Sequence, residues 1–113
     1  MLAHDERRQD PRVMINKPVI LRHAGRLLPA TVLNVSRSGM RLTSSEKNFI
    51  RNTSVEVIFD LDSERRDLSL RGRIIRVEIP SGGDIGIQFS NAFSTSNQQL
   101  ESYLDEHLPL KVA

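Results

Sequence analysis

The sequence predicts a small antiparallel β-barrel closed by a C-terminal helix. Three observations lead to this class: several short segments with alternating apolar residues, turn residues between them, and one amphipathic helical pattern near the end of the chain. Closure into a barrel would remove the exposed edges that so many strands otherwise present. At 113 residues the chain has the length of one ordinary domain, which can bury a core without disulfides.

Alternating apolar residues predict three strands in the second half of the chain. In SVEVIFDL every second residue is apolar, and Glu56 begins the polar set on the opposite face. LSLRGRIIRVEI alternates in the same way until Ile74 and Ile75, where the apolar face shifts and predicts a β-bulge. DIGIQF is the last predicted strand. The residues predicted to face the core are Val55, Val57, Phe59, Leu61, Leu68, Leu70, Ile74, Ile85, Ile87 and Phe89.

Turn residues predict hairpins between the strands. PVILRHAGRLLPATVLNV contains two apolar runs separated by Ala24 and Gly25, and Gly82-Gly83 precedes the last strand. The stretch LNVSRSGMRL has an apolar run, a polar interval and a second apolar run. Its polar interval is typical of a hairpin turn, since Asn and Ser bond their own backbone and Gly39 can supply a positive φ.

A helix is predicted over about 96–108. Ser96 followed by Gln99 matches a capping box, and Pro109 ends the pattern. One apolar stripe follows the helical period through Leu100, Tyr103, Leu104, His107 and Leu108. We therefore divide the chain into a flexible, charged N-terminal arm (1–12), the barrel with its helix (13–108) and a short tail (109–113).

Composition excludes several classes of function. The chain has no cysteine, which rules out disulfides and cysteine nucleophiles, and no apolar run is long enough to span a membrane. The first residues contain no apolar segment, so we expect no signal peptide. A cytoplasmic protein is expected. The net charge of +2 is too balanced for a bulk nucleic-acid binder. His4, His23 and His107 are scattered without metal-ligand spacing, and His107, on the helix stripe, is expected to be a packed or rim residue. The sequence has no G-x-S-x-G, H-E-x-x-H or P-loop motif. We expect no enzymatic activity, no metal and no cofactor.

Two polar clusters remain, and each has an ordinary explanation when taken alone. Arg8 and Arg12 have the spacing R-x-x-x-R within an arm whose acidic residues partly neutralise it, which is typical of a solvated segment. Asn34, Ser36 and Gly39 have the spacing N-x-S-x-x-G, which is typical of a turn. Arginine is nonetheless the favoured basic residue, with 13 Arg against 3 Lys, and it is the residue suited to bidentate contacts with phosphate and guanine. A GC-rich genome would also produce this bias.

Taken together and in this order, the two clusters resemble the signature of the PilZ domain family. GRIIRVE and IGIQF are similar to later strands of that family, and the resemblance covers about Glu6 to Leu108. The resemblance implies a six-stranded barrel that binds the bacterial second messenger cyclic di-GMP. It assigns ligand contacts to Arg8, Arg12, Asn34, Ser36 and Gly39. Arg7 and Arg37 lie within or beside the motifs and can contact phosphate.

The chemistry of these residues agrees with that assignment. Cyclic di-GMP carries two phosphates and two guanines, and arginine can bond either group bidentately and stack on a purine. The Asn34 amide offers a donor and an acceptor to a base edge, Ser36 offers a small hydroxyl, and Gly39 leaves room for a close approach. The arm is expected to become ordered when the ligand bridges it to the turn, and the changed surface would then act on a protein effector in trans.

Two alternatives belong to other functional classes. Some PilZ-type barrels act as protein-interaction modules and do not bind the nucleotide, but they lack the arginine motif that is complete here. A small barrel that binds single-stranded nucleic acid would need exposed aromatic platforms. The chain has no Trp, one Tyr and four Phe, and Tyr103, Phe59 and Phe89 fall on apolar faces, so we expect no DNA or RNA partner.

Overall fold

The computed structural model describes residues 11–46, 48–78, 83–90 and 94–108. Within these ranges the chain forms six strands and one helix. The strands are β1 (Val13–His23), β2 (Arg26–Val35), β3 (Gly39–Thr43), β4 (Ser54–Phe59), β5 (Leu68–Glu78) and β6 (Asp84–Phe89), and the helix is α1 (Thr95–His107). The tail, residues 1–10 of the arm and Gly82 of the predicted glycine turn lie outside the described residues.

The six strands close into an antiparallel barrel in the order β1–β2–β3–β6–β5–β4. Strands that follow one another in the sequence are paired, apart from β3 and β4. Instead, β3 pairs with β6, and β4 pairs with β1. The closing seam consists of the residue pairs Ile20–Ile58, Leu21–Val57 and Arg22–Glu56. The predicted six-stranded barrel with a C-terminal helix is confirmed.

Alternate residues of the strands fill the interior of the barrel. Along β4, the apolar residues are buried, whereas Glu56 and Ile58 between them are half-buried. Every residue that the alternation assigns to the core is buried, apart from Phe89, which is half-buried. Burial of such a set supplies most of the free energy that stabilises a small domain.

The predicted β1–β2 turn and the predicted bulge are both present. Ala24 and Gly25 connect β1 to β2 with φ angles of 53° and 78°, the left-handed pair that a tight hairpin turn requires. In β5 the register with β6 shifts between Ile74 and Arg76. Ile75 is consequently turned outward and is 41% exposed, which explains the shift of the apolar face.

Helix α1 packs its apolar stripe on the barrel, but its cap differs from the prediction. The helix buries Leu100, Tyr103 and Leu104, while His107 lies exposed at the rim and stacks on Tyr103. The N-cap is Ser94, whose hydroxyl accepts a hydrogen bond from the backbone N–H of the residue three positions on.

The capping box predicted at Ser96 is therefore wrong. The Ser96 hydroxyl accepts a hydrogen bond of 2.9 Å from the backbone N–H of Ser69, the second residue of β5. Its hydroxyl thus joins the helix to the sheet instead of capping the helix. Tertiary pairing of this kind overrides a local motif because the partly buried N–H of a strand also needs a partner.

Arg65 fastens the helix to the loop between β4 and β5. It is 8% exposed, and its guanidinium donates to Asp62 at 2.6 Å, to Glu106 at 2.5 Å and to Ser102 at 3.1 Å. The same group lies 5.8 Å from the ring centre of Tyr103. This network fixes the C-terminal half of α1 over one end of the barrel. In the part of the chain that the structure describes, no helix is long and apolar enough to cross a bilayer.

Candidate functional site

A direct hydrogen bond joins the two motifs. Arg12 immediately precedes β1, and Asn34 is the second-last residue of β2. The Nη1 atom of Arg12 donates to Oδ1 of Asn34 at 2.7 Å, across 22 positions of sequence. The contact forms because β1 and β2 are antiparallel, so that the start of one strand lies beside the end of the other. Arg12 is exposed and Asn34 is half-buried, so both can reach a ligand from solvent.

Asn34 keeps hydrogen-bonding capacity while it is held by Arg12. Arginine carries only donors, so the atom that meets Arg12 must be the amide oxygen. That oxygen has a second lone pair, and the amide nitrogen has two N–H groups. Asn34 can therefore bond a base edge without first breaking its contact with Arg12.

Ser36 is buried within the turn and holds it together. It is 0% exposed, and its hydroxyl oxygen accepts hydrogen bonds from the backbone N–H groups of Ser38 at 3.2 Å and Gly39 at 3.3 Å. Its own backbone N–H donates to the carbonyl of Gly39 at 2.8 Å. The turn residue that the motif assigned to the ligand is thus a structural residue of the turn. Its contact with a ligand stays a prediction.

Gly39 allows β3 to approach β6 closely. A Cβ atom on Gly39 would lie 2.1 Å from the carbonyl oxygen of Ile87, a distance that no side chain tolerates. The expected positive φ at Gly39 is wrong, because the glycine with positive φ among the described residues is Gly25. The packing of the two strands therefore requires a residue without a side chain at position 39. The contact of Gly39 with a ligand stays a prediction.

Of the two flanking arginines in the prediction, the structure describes Arg37. Arg37 is exposed, and its Nη2 atom lies 3.9 Å from Oδ1 of Asp105 on α1. The structure therefore places Arg37 beside the helix, in a weak surface ion pair. Arg7 and Arg8 belong to residues 1–10, outside the described part of the chain.

The strand register brings two further side chains to Asn34. Met14 of β1 and Arg41 of β3 are the residues directly opposite Asn34 on its two neighbouring strands. Arg41 donates to Asp84 of β6 through Nε at 3.1 Å and Nη2 at 3.0 Å. The hydrogen bond from Arg41, aided by its charge, holds the pKa of Asp84 below its ordinary value.

Sequence patterns alone do not reveal these two neighbours. Met14 and Arg41 take outward positions in their strands, and a single apolar residue on a protein surface is ordinary, so neither position stands out in the sequence. Their place beside Asn34 depends on the pairing register. That register contains irregularities between Met14 and Lys17 and between Val32 and Asn34.

Comparison with known proteins identifies the family. The model of the PilZ domain family matches residues 6–106, nearly the whole chain, and the chain belongs to the PilZ domain family. A comparison with curated protein sequences finds no match.

Two solved structures share the fold. The inhibitor of motility MotI/DgrA of Bacillus subtilis aligns with a TM-score of 0.71 and 19% identity, over 88% of this chain and 50% of that one. The PlzA protein of Borreliella burgdorferi, solved in complex with c-di-GMP, aligns with a TM-score of 0.59 and 13% identity, over 79% of this chain and 36% of that one. This chain therefore spans half or less of the length of either neighbour.

Proposed function

We propose that this protein is a receptor for cyclic di-GMP. Arg8, Arg12, Asn34, Ser36 and Gly39 would form its binding site, and Arg7 and Arg37 would add phosphate contacts. The observation that carries the proposal is the hydrogen bond between Arg12 and Asn34, because it puts a guanidinium and an amide from the two motifs within reach of one ligand.

The chemistry of the exposed groups suits such a ligand. A guanidinium can bond a phosphate bidentately, and an amide can bond the edge of guanine. Membership of the PilZ family and the complex of PlzA with c-di-GMP support the same ligand. The protein would act without catalysis, as a cytoplasmic receptor whose ligand is a signal.

The geometry suggests how a signal could leave the site. Arg12 is the last residue of the arm, and the turn connects to α1 through the ion pair of Arg37 with Asp105. A surface ion pair at 3.9 Å is worth little, so a phosphate can draw Arg37 away from the helix. Ligand binding would then order the arm on the barrel and change the surface presented to a protein effector in trans.

Isothermal titration with cyclic di-GMP tests the proposal, with GMP as the control ligand. We expect saturable heat for the cyclic dinucleotide and much weaker binding of GMP, which offers one base and one phosphate. Absence of heat up to about 1 mM cyclic di-GMP would overturn the receptor proposal.

A further inference from the structure

Three side chains form a row across the outer surface of the barrel. Met14 on β1, Asn34 on β2 and Arg41 on β3 are paired residue to residue in the antiparallel register. Directly opposite residues of antiparallel strands point to the same side of the sheet. The buried neighbours Val35 and Met40 point inward, which places the row of three on the outer side.

Met14 is an apolar side chain left in solvent at the edge of the site. It is 75% exposed, more than Leu27 and Ile50 at 62% each. It lies two residues after Arg12, and the pairing of β1 with β2 shifts in register directly after it. Methionine sulfur makes favourable contacts with aromatic rings, so an exposed Met14 offers a flat base a surface on which to stack.

Arg41 offers a second such surface on the other side of Asn34. Its Nε and Nη2 atoms form a fork with the carboxylate of Asp84, at 3.1 and 3.0 Å. Hydrogen bonds of a guanidinium lie in its plane, so the bonds to Asp84 do not use the faces of the plane, which can stack on a ring. Arg41 is thus held in place by its edge, and 47% of its side chain is exposed.

The spacing of the row fits one purine ring. Neighbouring side chains in such a row have Cβ atoms about 5 Å apart, so Met14 and Arg41 begin about 10 Å apart with Asn34 between them. A flat ring in contact on both faces needs about 7 Å between its two neighbours. The longer side chains of Met14 and Arg41 can close this difference by leaning inward, while the shorter amide of Asn34 meets the edge of the ring.

We propose that Met14 and Arg41 form the two walls of a slot that holds one purine base of the ligand above Asn34. The slot rests on the proposed cyclic dinucleotide receptor and adds two residues outside both sequence motifs. Arg12 binds the phosphate beside the base, and Asn34 bonds the base edge. The two walls stack on the base, and a pyrimidine stacks less strongly there because its ring is smaller.

Fluorescence gives a direct test, because the chain has no tryptophan. In the variant Met14→Trp the new indole reports stacking, and Leu27→Trp is the matched control. Leu27 is also exposed but lies opposite Arg22, near the other end of β1. We expect cyclic di-GMP to change the fluorescence emission of the Met14→Trp variant, with the same midpoint concentration as in the calorimetric titration of that variant. The emission of the Leu27→Trp control should stay unchanged. Calorimetric binding by that variant with unchanged emission would overturn the slot.

Two milder variants separate the walls from the motifs. Met14→Ala should weaken binding of cyclic di-GMP about three- to tenfold. Arg41→Lys keeps a cation beside Asp84 but removes the plane, and should weaken binding to a similar extent. Cyclic di-UMP, which has the same phosphates, should bind more weakly and should be little affected by Met14→Ala.

The outcomes distinguish the two proposals. If the unaltered protein binds cyclic di-GMP and neither Met14→Ala nor Arg41→Lys weakens that binding, the slot is contradicted and the receptor proposal still stands. Failure of the unaltered protein to bind cyclic di-GMP contradicts both. Melting temperatures of the free variants should match that of the unaltered protein, because the walls are exposed.

Discussion

Arg12 and Asn34 are joined by a hydrogen bond of 2.7 Å between Nη1 and Oδ1, although 22 positions separate them in the sequence. The bond spans the start of β1 and the end of β2, whose pairing fixes the two backbones. One half of the candidate site, with Asn34, therefore lies on the barrel, and the other half, with Arg12, lies on the segment that precedes β1. A ligand bound at this point would meet Arg12 and Asn34 on one surface.

Replacement of Arg12 by alanine should weaken binding of cyclic di-GMP by about ten- to hundredfold. The lost contact is a charge-assisted hydrogen bond, worth about 1.5–3 kcal/mol. The melting temperature of the free protein should change little, because Arg12 is exposed. Arg26→Ala is the matched control: Arg26 lies beside the β1–β2 turn in a surface pair with Glu46 at 3.6 Å, and its loss should leave affinity unaltered. A large fall in melting temperature for Arg12→Ala would show that Arg12 is structural.

Replacement of Ser36 by alanine should destabilise the fold itself. Two backbone N–H groups in the turn would lose their common acceptor, at a cost of about 1–2 kcal/mol. Thermal unfolding should show a decrease of roughly 4 °C per kcal/mol. Ser38→Ala is the control, because Ser38 is exposed and its replacement should cost less than about 0.5 kcal/mol. Equal melting temperatures for the two variants would contradict the structural role of Ser36.

Replacement of Gly39 by alanine should separate β3 from β6. The added methyl group would lie 2.1 Å from the Ile87 carbonyl oxygen, and overpacking of this kind costs about 1–3 kcal/mol or more. Gly86→Ala is the control, since its added carbon would meet only the Cβ of Arg76, at 3.5 Å. Denaturant unfolding should rank Gly39→Ala as clearly less stable. If both variants unfold at the same denaturant concentration, the close approach of the strands does not require glycine.

Much of the fold follows from local patterns. The alternation of Val55, Val57 and Phe59 predicts which side of β4 faces the core, because strand geometry sends successive residues to opposite sides. The turn at Ala24 and Gly25 is equally local. These features need only a few consecutive residues, which is why the sequence predicts them correctly.

The remaining features depend on contacts between distant segments. Ser96 matches a cap locally, but Ser69 of β5 engages its hydroxyl. Gly39 fits the local pattern of a turn, but the position requires glycine because the backbone of Ile87 in β6 leaves no room for a side chain. In the same way, the motifs predicted Asn34 as a site residue, whereas its neighbour Arg41 becomes visible only through the pairing of β2 with β3.

His23 should make stability depend on pH near neutrality. Burial lowers the pKa of His23 below its ordinary value of 6.5, and its Nε2 atom lies 2.9 Å from the Thr53 hydroxyl. The unfolded chain therefore binds more protons than the folded one between the two pKa values. Neutral His23 therefore contributes fully to the free energy of unfolding above pH 6.5, and this contribution is lost as the pH falls through the lower pKa of His23 in the folded protein.

Urea unfolding at a series of pH values between about 7.5 and 5 measures this effect. The free energy of unfolding should fall with decreasing pH, and the slope should be smaller in His23→Phe, which keeps an aromatic ring against Phe49. Identical slopes in the two proteins would show that His23 is not responsible.

The central claim is that cyclic di-GMP binds where the arm meets the β2–β3 turn. Backbone amide chemical shifts, followed by NMR during titration of the labelled protein, test it most directly. The largest changes should occur at Arg8, Arg12, Asn34 and Gly39 and should saturate together. Largest changes around the Ala24–Gly25 turn, at the far end of β1 and β2, or no changes at any amide, would contradict the claim.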